Sequence, residues 1–251
     1  MKTVAICVIG TNAYFVLALR FINRMFHLYR GKHRLKFYFF TERDPHPFLP
    51  DRCDISWLRR RHKSWVDATN SKFNSISSIN EKHDYLFYFD ADTNINTTMN
   101  DWFIGELVSG EHWGHVGHPY NKLPFDKKGK GRCNIPFEEG RQYTYRYGAF
   151  FGGTFYNVQK LCSVCKNLQD LDHSEGYEAG VNDESYLNYY FHNNANKTIK
   201  SRNMPLGISC KGGLDLGRRC DVAFTEIEQK IRTNKNKLFN ILYGKYTEEK
   251  I

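Results

Sequence analysis

The chain has no apolar run long enough to cross a membrane, which excludes a spanning helix within it. It has no G-x-G-x-x-G, so the dinucleotide fingerprint of nicotinamide enzymes is missing. Helix-turn-helix and zinc-finger spacings are absent too, as are internal repeats and low-complexity segments. There is no disulfide framework: the seven cysteines, at positions 7, 53, 133, 162, 165, 210 and 220, are odd in number and irregular in spacing. Cys162 and Cys165 form a lone C-x-x-C with no second pair or nearby histidine. They read better as two small residues on one helix face than as a zinc or redox site. A reducing compartment follows. A secretory leader is not expected either. The apolar stretch after Lys2 is split by Gly10-Thr11-Asn12, and no small-residue cleavage pattern precedes Arg20 and Phe21. The expected location is cytoplasmic, without signal peptide or membrane anchor.

What is present is a core and a positive charge. The 251 residues are 41% apolar and 16% aromatic, enough for one sizeable core with room for two lobes around a cleft. We expect a single domain over 1–251, ending in a basic C-terminal segment over 230–251. The formal net charge of +9 points to an anionic partner: a phosphorylated small molecule, a nucleic acid or a membrane surface. Basic residues cluster at Arg59-Arg60-Arg61-His62-Lys63, at Lys127 to Arg132 and at Lys230 to Lys237. With no nucleic-acid module beside them, nucleic acid is not expected as a partner.

The apolar pattern predicts strands over Val4 to Ile9, Leu35 to Phe40, Asp54 to Leu58 and Tyr85 to Phe89. Helices are predicted over Phe15 to Tyr29 and Trp65 to Ile79. This alternation predicts a parallel sheet with crossover helices, an α/β fold. Further on, a strand is expected over Trp113 to Pro119 and a long irregular connection over Asn121 to Gly140. Helices are expected over Val158 to Leu168 and Asp183 to Phe191, and irregular chain over Gly207 to Arg219. The basic run Lys230 to Lys245 is expected to order on an anionic ligand.

Three segments carry chemistry. Asp90-Ala91-Asp92 follows the apolar strand Tyr85 to Phe89. Carboxylates two residues apart in extended chain reach one point, where open α/β sheets bind ligands. Such a pair holds a hard divalent cation while leaving positions free for phosphate. Alone, a D-x-D after a strand is more often a turn with solvated acids. The second segment is Gly148 to Thr154, with paired glycines Gly152-Gly153 that permit close backbone approach; alone, it is more often a bend in a core strand. The third is Asn182-Asp183-Glu184-Ser185, opening a helix. Alone it reads as a cap with a first-turn acid, a reading that leaves room for a carboxylate in a cleft.

In this order the three resemble family 6 retaining glycosyltransferases, the group of the histo-blood-group A and B transferases and α-1,3-galactosyltransferase. Trp65-Val66-Asp67, Gly117-His118-Pro119-Tyr120, Ile135-Pro136-Phe137-Glu138-Glu139-Gly140, Phe150 to Thr154 and Asp183 to Asn188 sit where that family has like segments. The absence of an anchor and stem resembles a bacterial or bacteriophage member, which places the chain in a bacterial or phage-infected host cell. The resemblance implies a nucleotide-sugar-binding, Rossmann-like fold of the GT-A type with a mixed central sheet, in a single catalytic domain over 1–251 whose nucleotide-binding half is 1–92 and whose acceptor and catalytic half is 93–229. It implies transfer of galactose or N-acetylgalactosamine from a UDP-sugar donor to a hydroxyl of a glycan acceptor, in α-1,3 linkage with retention.

It also implies residue roles. Asp90 and Asp92 would hold Mn²⁺ or another divalent cation. Many bacterial relatives carry Asn at both positions and work without metal, so keeping both acids implies metal dependence. Glu184 matches the carboxylate beside the anomeric carbon, which would stabilise an oxocarbenium-like centre or attack it transiently. Asp183 would hold donor-sugar hydroxyls, and Lys72 stands where the family has an Arg. Ile9, Thr11, Tyr14 and Ala91 fall in donor-binding segments, and Arg232 matches a residue gripping the diphosphate. His118 matches an acceptor contact. Tyr147-Gly148-Ala149 replaces the donor-selecting residues. Ala149 resembles the galactose-preferring choice while Gly148 loosens it, so both donors stay open. Val181-Asn182 replaces a Trp-His pair on the acceptor side. Glu226 falls near a family Lys, for which Lys230 or Lys235 could substitute. A carbohydrate-binding protein that kept this fold but turns over weakly is the alternative.

Overall fold

The computed structural model describes residues 1–45, 49, 51–127, 129–194, 199–201 and 208–209. The expectations placed on Arg232, Glu226, 210–219 and 230–251 lie outside the described residues.

The chain opens with β1 (Thr3–Ile9), α1 (Tyr14–Leu28), β2 (Arg34–Thr41) and β3 (Ile55–Arg59). It continues through α2 (Trp65–Asn70), α3 (Lys72–Ser77), β4 (Tyr85–Phe89) and β5 (Asn94–Ile95). After β6 (Leu107–Glu111) come β7 (Arg146–Thr154), α4 (Phe155–Ser174), α5 (Asn182–Asn193), β8 (Ile199–Ser201) and β9 (Ile208–Ser209). Seven strands form one sheet in the order β3-β2-β1-β4-β7-β6-β8, and β5 pairs with β9 apart from it. β1, β2, β3 and β4 are parallel, while β7 runs antiparallel to both β4 and β6. The mixed sheet is the one expected, and its single reversed strand decides where the site forms. Because β7 runs against β4, it begins where β4 ends.

The apolar runs are continuous because both faces of the sheet are covered. Val4, Ile6 and Val8 share one face with Phe37, Phe39, Phe87, Phe89 and Phe150, packed by Phe15, Leu19, Phe21, Ile22 and Met25 of α1. Ala5, Cys7 and Ile9 share the other with Phe40, Leu86, Tyr88 and Phe151, packed by residues of α3, α4 and α5. Each fully buried aromatic or aliphatic side chain here contributes about 1.5–3 kcal/mol. Cys162 and Cys165 lie in this second core, free and buried on α4. Gly152 belongs to the core as well: a Cβ there would lie 2.0 Å from Phe87 Cδ1. At Gly153 (φ +158) it would lie 2.2 Å from the Glu106 carbonyl oxygen. The paired glycines let β7 pack between β4 and β6; they do not approach the cleft.

Two expectations change. The strand sought over 113–119 is instead β6 at Leu107–Glu111, followed by a 3₁₀ turn over Trp113–His115. His112 Nδ1 accepts from the Gly114 N–H at 3.2 Å and closes that turn. The helix expected over 65–79 is two helices, parted at Ser71, whose hydroxyl bonds to the Ala68 carbonyl at 3.0 Å. Short hydroxyl side chains compete in this way with the helix ladder. No helix among the described residues is long and apolar enough to cross a membrane.

Candidate active site

A cleft opens at the carboxyl ends of β1 and β4. Ile9, Thr11 and Tyr14 line one side, with Tyr88, Asp90, Ala91 and Asp92 at the end of β4. Ser64, Trp65, Ala68, Thr69 and Lys72 of the α2–α3 segment face them. Gly148 and Ala149 of β7 and Val181, Asn182, Asp183 and Glu184 at the start of α5 complete it. Twelve of the residues singled out from sequence meet here: Ile9, Thr11, Tyr14, Lys72, Asp90, Ala91, Asp92, Gly148, Ala149, Asn182, Asp183 and Glu184.

Lys72 is the electrostatic centre, although its residue is only 4% exposed. Its Nζ donates to Asp183 Oδ2 at 2.6 Å and to the Gly148 carbonyl at 2.9 Å, lies 3.6 Å from Asp90 Oδ1, and sits over the Tyr88 ring. Burial alone would disfavour its charge; Asp183, Asp90 and Glu184 outweigh that and hold its pKa above the ordinary lysine value. Asp183 is buried, and burial pushes its pKa up against the pull of Lys72. One ammonium thus serves three carboxylates. Local negative charge is left over for a cation to balance.

Glu184 is held from two directions. Gly148 N–H donates to Oε1 at 2.7 Å and Tyr145 Oη donates to Oε2 at 2.8 Å. Burial raises its pKa, and these two donors oppose the rise. Asn188, one turn later, locks the elements together. Its amide donates to the Arg146 and Glu184 carbonyls, and its Oδ1 accepts from the Arg146 N–H. Neither Asn182 nor Asp183 is the N-cap, although Asp183 and Glu184 do stand in the first turn of α5. Val181 stands at the N-cap without a side-chain bond, Asn182 takes a left-handed conformation (φ +42), and both acids turn into the cleft.

The Asp90 N–H donates to the Ala149 carbonyl at 2.9 Å, fixing the end of β4 against β7. Asp90 Oδ1 accepts from Tyr88 Oη at 2.7 Å. Tyr14 lies in the field of both Asp92 and Asp90: burial first, then these two acids, raise its pKa. The donor set suits a hard cation, since both side chains offer oxygen and both line the open cleft. No group of three or more His, Cys, Asp or Glu among the described residues is placed to hold a metal. A cation here would draw its other ligands from phosphate and water.

Two singled-out residues do not line the cleft. Tyr147 turns away toward Gly110 and His112, its ring 6.1 Å from the imidazole. His118 is exposed, with its ring 5.8 Å from His115, which lies 5.1 Å from the Tyr145 ring. Sequence reasoning missed Tyr145, Tyr88 and Asn188. Asn188, four residues after Glu184 on one helix face, was the legible signal.

A sequence profile described as "Glycosyltransferase family 6" matches residues 1–204. The chain is 27% identical over 201 residues to globoside alpha-1,3-N-acetylgalactosaminyltransferase 1 of Gallus gallus, covering 73% of this chain and 57% of that one. It is 25% identical over 197 residues to histo-blood group ABO system transferase 2 of Rattus norvegicus, covering 75% and 58%. To the O-antigen biosynthesis glycosyltransferase WbnI of Escherichia coli it is 23% identical over 164 residues, covering 63% and 69%. The chain thus spans little more than half the length of the animal relatives.

Proposed function

The chain belongs to glycosyltransferase family 6, and we propose that it is a metal-dependent retaining glycosyltransferase. It moves galactose or N-acetylgalactosamine from a UDP-sugar to a hydroxyl of a glycan acceptor, in α-1,3 linkage. The observation that carries this reading is Glu184. Its carboxylate is fixed by two donors and opens on the same cleft as Asp90 and Asp92. The names of relatives that transfer these sugars in α-1,3 linkage support the linkage and donor class. Free, buried thiols at Cys7, Cys53, Cys133, Cys162 and Cys165 support a reducing, cytoplasmic setting.

In this reading Ile9, Thr11 and Tyr14 take the uridine. Asp90 and Asp92 would hold Mn²⁺ or a similar ion, which would supply positive charge against the diphosphate. Lys72 holds Asp183 and Asp90 in place, and Asp183 presents its free edge to donor-sugar hydroxyls. As the bond from the anomeric carbon to the diphosphate breaks, positive charge grows on the sugar ring. The Glu184 carboxylate, preoriented by its two donors, stabilises that charge on the face opposite the leaving group. The acceptor hydroxyl bonds to the anomeric carbon on the face from which UDP departs and gives its proton to the departing diphosphate, and UDP leaves. Asn182 in the cleft lining, and His118 outside it, would contact the acceptor.

Incubation with a panel of UDP-sugars and Mn²⁺ tests this, read as UDP release with and without an acceptor array. Release from UDP-galactose or UDP-N-acetylgalactosamine is expected. A chain that binds glycans yet releases no UDP from any donor would instead be the binding protein.

A further inference from the structure

His62 stands within Arg59-Arg60-Arg61-His62-Lys63, which reads in sequence as one basic surface cluster. Arg59, Arg61 and Lys63 are exposed, but His62 is 4% exposed. Its ring touches Thr11, in one wall of the cleft, and Ser71, which caps the helix of the opposite wall. Nδ1 lies 3.2 Å from Thr11 Oγ1 and Nε2 lies 2.6 Å from Ser71 Oγ. Ser71 Oγ also lies 3.0 Å from the Ala68 carbonyl. A neutral imidazole makes the two ring contacts as one donor and one acceptor, whichever nitrogen carries the proton. Burial lowers the imidazole pKa, with Asp67 and Glu42 opposing and Arg60 assisting, which keeps the ring in the neutral form this arrangement uses. The main chain adds a tie: Asn12 Nδ2 donates to the His62 carbonyl at 3.2 Å. Asn12 is itself left-handed (φ +55), and its N–H donates to Glu42 Oε1 at 2.8 Å.

The bonded residues matter for what they carry. Thr11 sits in the loop between β1 and α1 that leads to Tyr14. Ser71 ends α2, whose Trp65, Ala68 and Thr69 line the opposite wall, and immediately precedes Lys72. We propose that His62 is a positioning residue of the cleft: it ties the 10–14 loop to the α2–α3 junction so that a nucleoside-diphosphate sugar meets two walls already at their bound separation. This inference rests on the proposed function. Walls held in place beforehand reduce the ordering that binding requires, so the effect falls on donor affinity and not on the chemistry at Glu184.

The test compares wild type with His62→Ala, His62→Asn, His62→Gln and Ser71→Ala. UDP affinity is read by calorimetry with Mn²⁺, and kcat and KM for the donor by UDP release. His62→Ala is expected to raise both the Kd for UDP and the donor KM about tenfold while kcat stays within about threefold. The amide of Gln reaches roughly where Nε2 lay and that of Asn roughly where Nδ1 lay, so each is expected to restore part of the affinity. Ser71→Ala should weaken UDP binding in wild type and add little in the His62→Ala background. A lowered Tm with unchanged Kd and KM overturns the proposal, as do fully additive effects. Should His62→Ala fail to fold, the same Kd and KM readouts on His62→Gln and Ser71→Ala decide it. A wild-type chain that neither binds UDP nor cleaves any UDP-sugar overturns the parent reading; one that does both, with unaltered variants, overturns the role of His62 alone.

Discussion

The Tyr145 hydroxyl donates to Glu184 Oε2 at 2.8 Å, and both residues are fixed by packing and by the Asn188 clamp. Tyr145 is 2% exposed, so its hydroxyl has no solvent to turn to. Hydrogen bonds to a charged group contribute about 1.5–3 kcal/mol. Tyr145→Phe keeps the ring and removes only that donor. We expect turnover to fall about tenfold to a hundredfold, with UDP affinity close to wild type. Unchanged kcat would mean that Gly148 N–H alone positions the carboxylate.

Glu184→Gln separates charge from shape. A first-turn charge contributes only about 0.3–1 kcal/mol to a helix. A carboxylate that stabilises the reacting centre contributes several kcal/mol to the barrier, at tenfold in rate per ~1.4 kcal/mol. The variant should fold normally, bind UDP nearly as well and turn over at least about a hundredfold more slowly. Early melting with near-native turnover of the folded fraction would make Glu184 structural.

The sequence announced the parallel half of the sheet because each of those strands is a short apolar run bounded by turn residues. It did not announce β6, where Ser109-Gly110-Glu111 breaks the apolar run; Ser109 is buried in the sheet and its hydroxyl accepts from Arg146 Nη1. Most of the proposed donor residues were legible as motifs, and the cleft gathers them. The residues that hold them were not. Tyr88 and Tyr145 look like core aromatics, and only the fold shows their hydroxyls turned onto Asp90 and Glu184. His62 was hidden by basic neighbours, since one-dimensional charge cannot show that one member of a cluster is buried.

Asp90→Asn or Asp92→Asn should remove most activity, and EDTA should do the same to the native chain, with Mn²⁺ restoring it. Each substitution halves the anionic oxygen donors on which a hard cation depends. Tyr88→Phe should act more mildly, because it frees Asp90 Oδ1 without removing its charge. Full turnover in EDTA would sink the metal assignment.

Lys72→Met should reduce stability sharply. The change leaves Asp183 buried beside Glu184 and Asp90 with no cation. Removing one partner of a buried pair costs about 3–5 kcal/mol. Urea unfolding should show that loss, and Lys72→Met combined with Asp183→Asn should regain a measurable part of it. No recovery in the double variant would mean that Lys72 acts mainly through Gly148 and Tyr88.

Gly148→Ala tests how tightly the site is built, one position before an alanine that the fold accepts. A Cβ on residue 148 would lie 2.6 Å from Asp183 Oδ2, 3.1 Å from Glu184 Cγ and 3.2 Å from Lys72 Nζ. None of these atoms can retreat cheaply. Asp183 is pinned by Lys72, and Glu184 by Tyr145 and by the Gly148 N–H itself. The added methyl therefore moves the acids and not itself. A misplacement of about 1 Å at a reacting centre can cost on the order of a hundredfold in rate. We expect kcat/KM to fall at least about tenfold with only a small drop in Tm, because the strain sits at the cleft and not in the core. Near-native kcat/KM in Gly148→Ala would show that Asp183 and Glu184 have slack, and that the glycine is there to admit the donor and not to seat the acids.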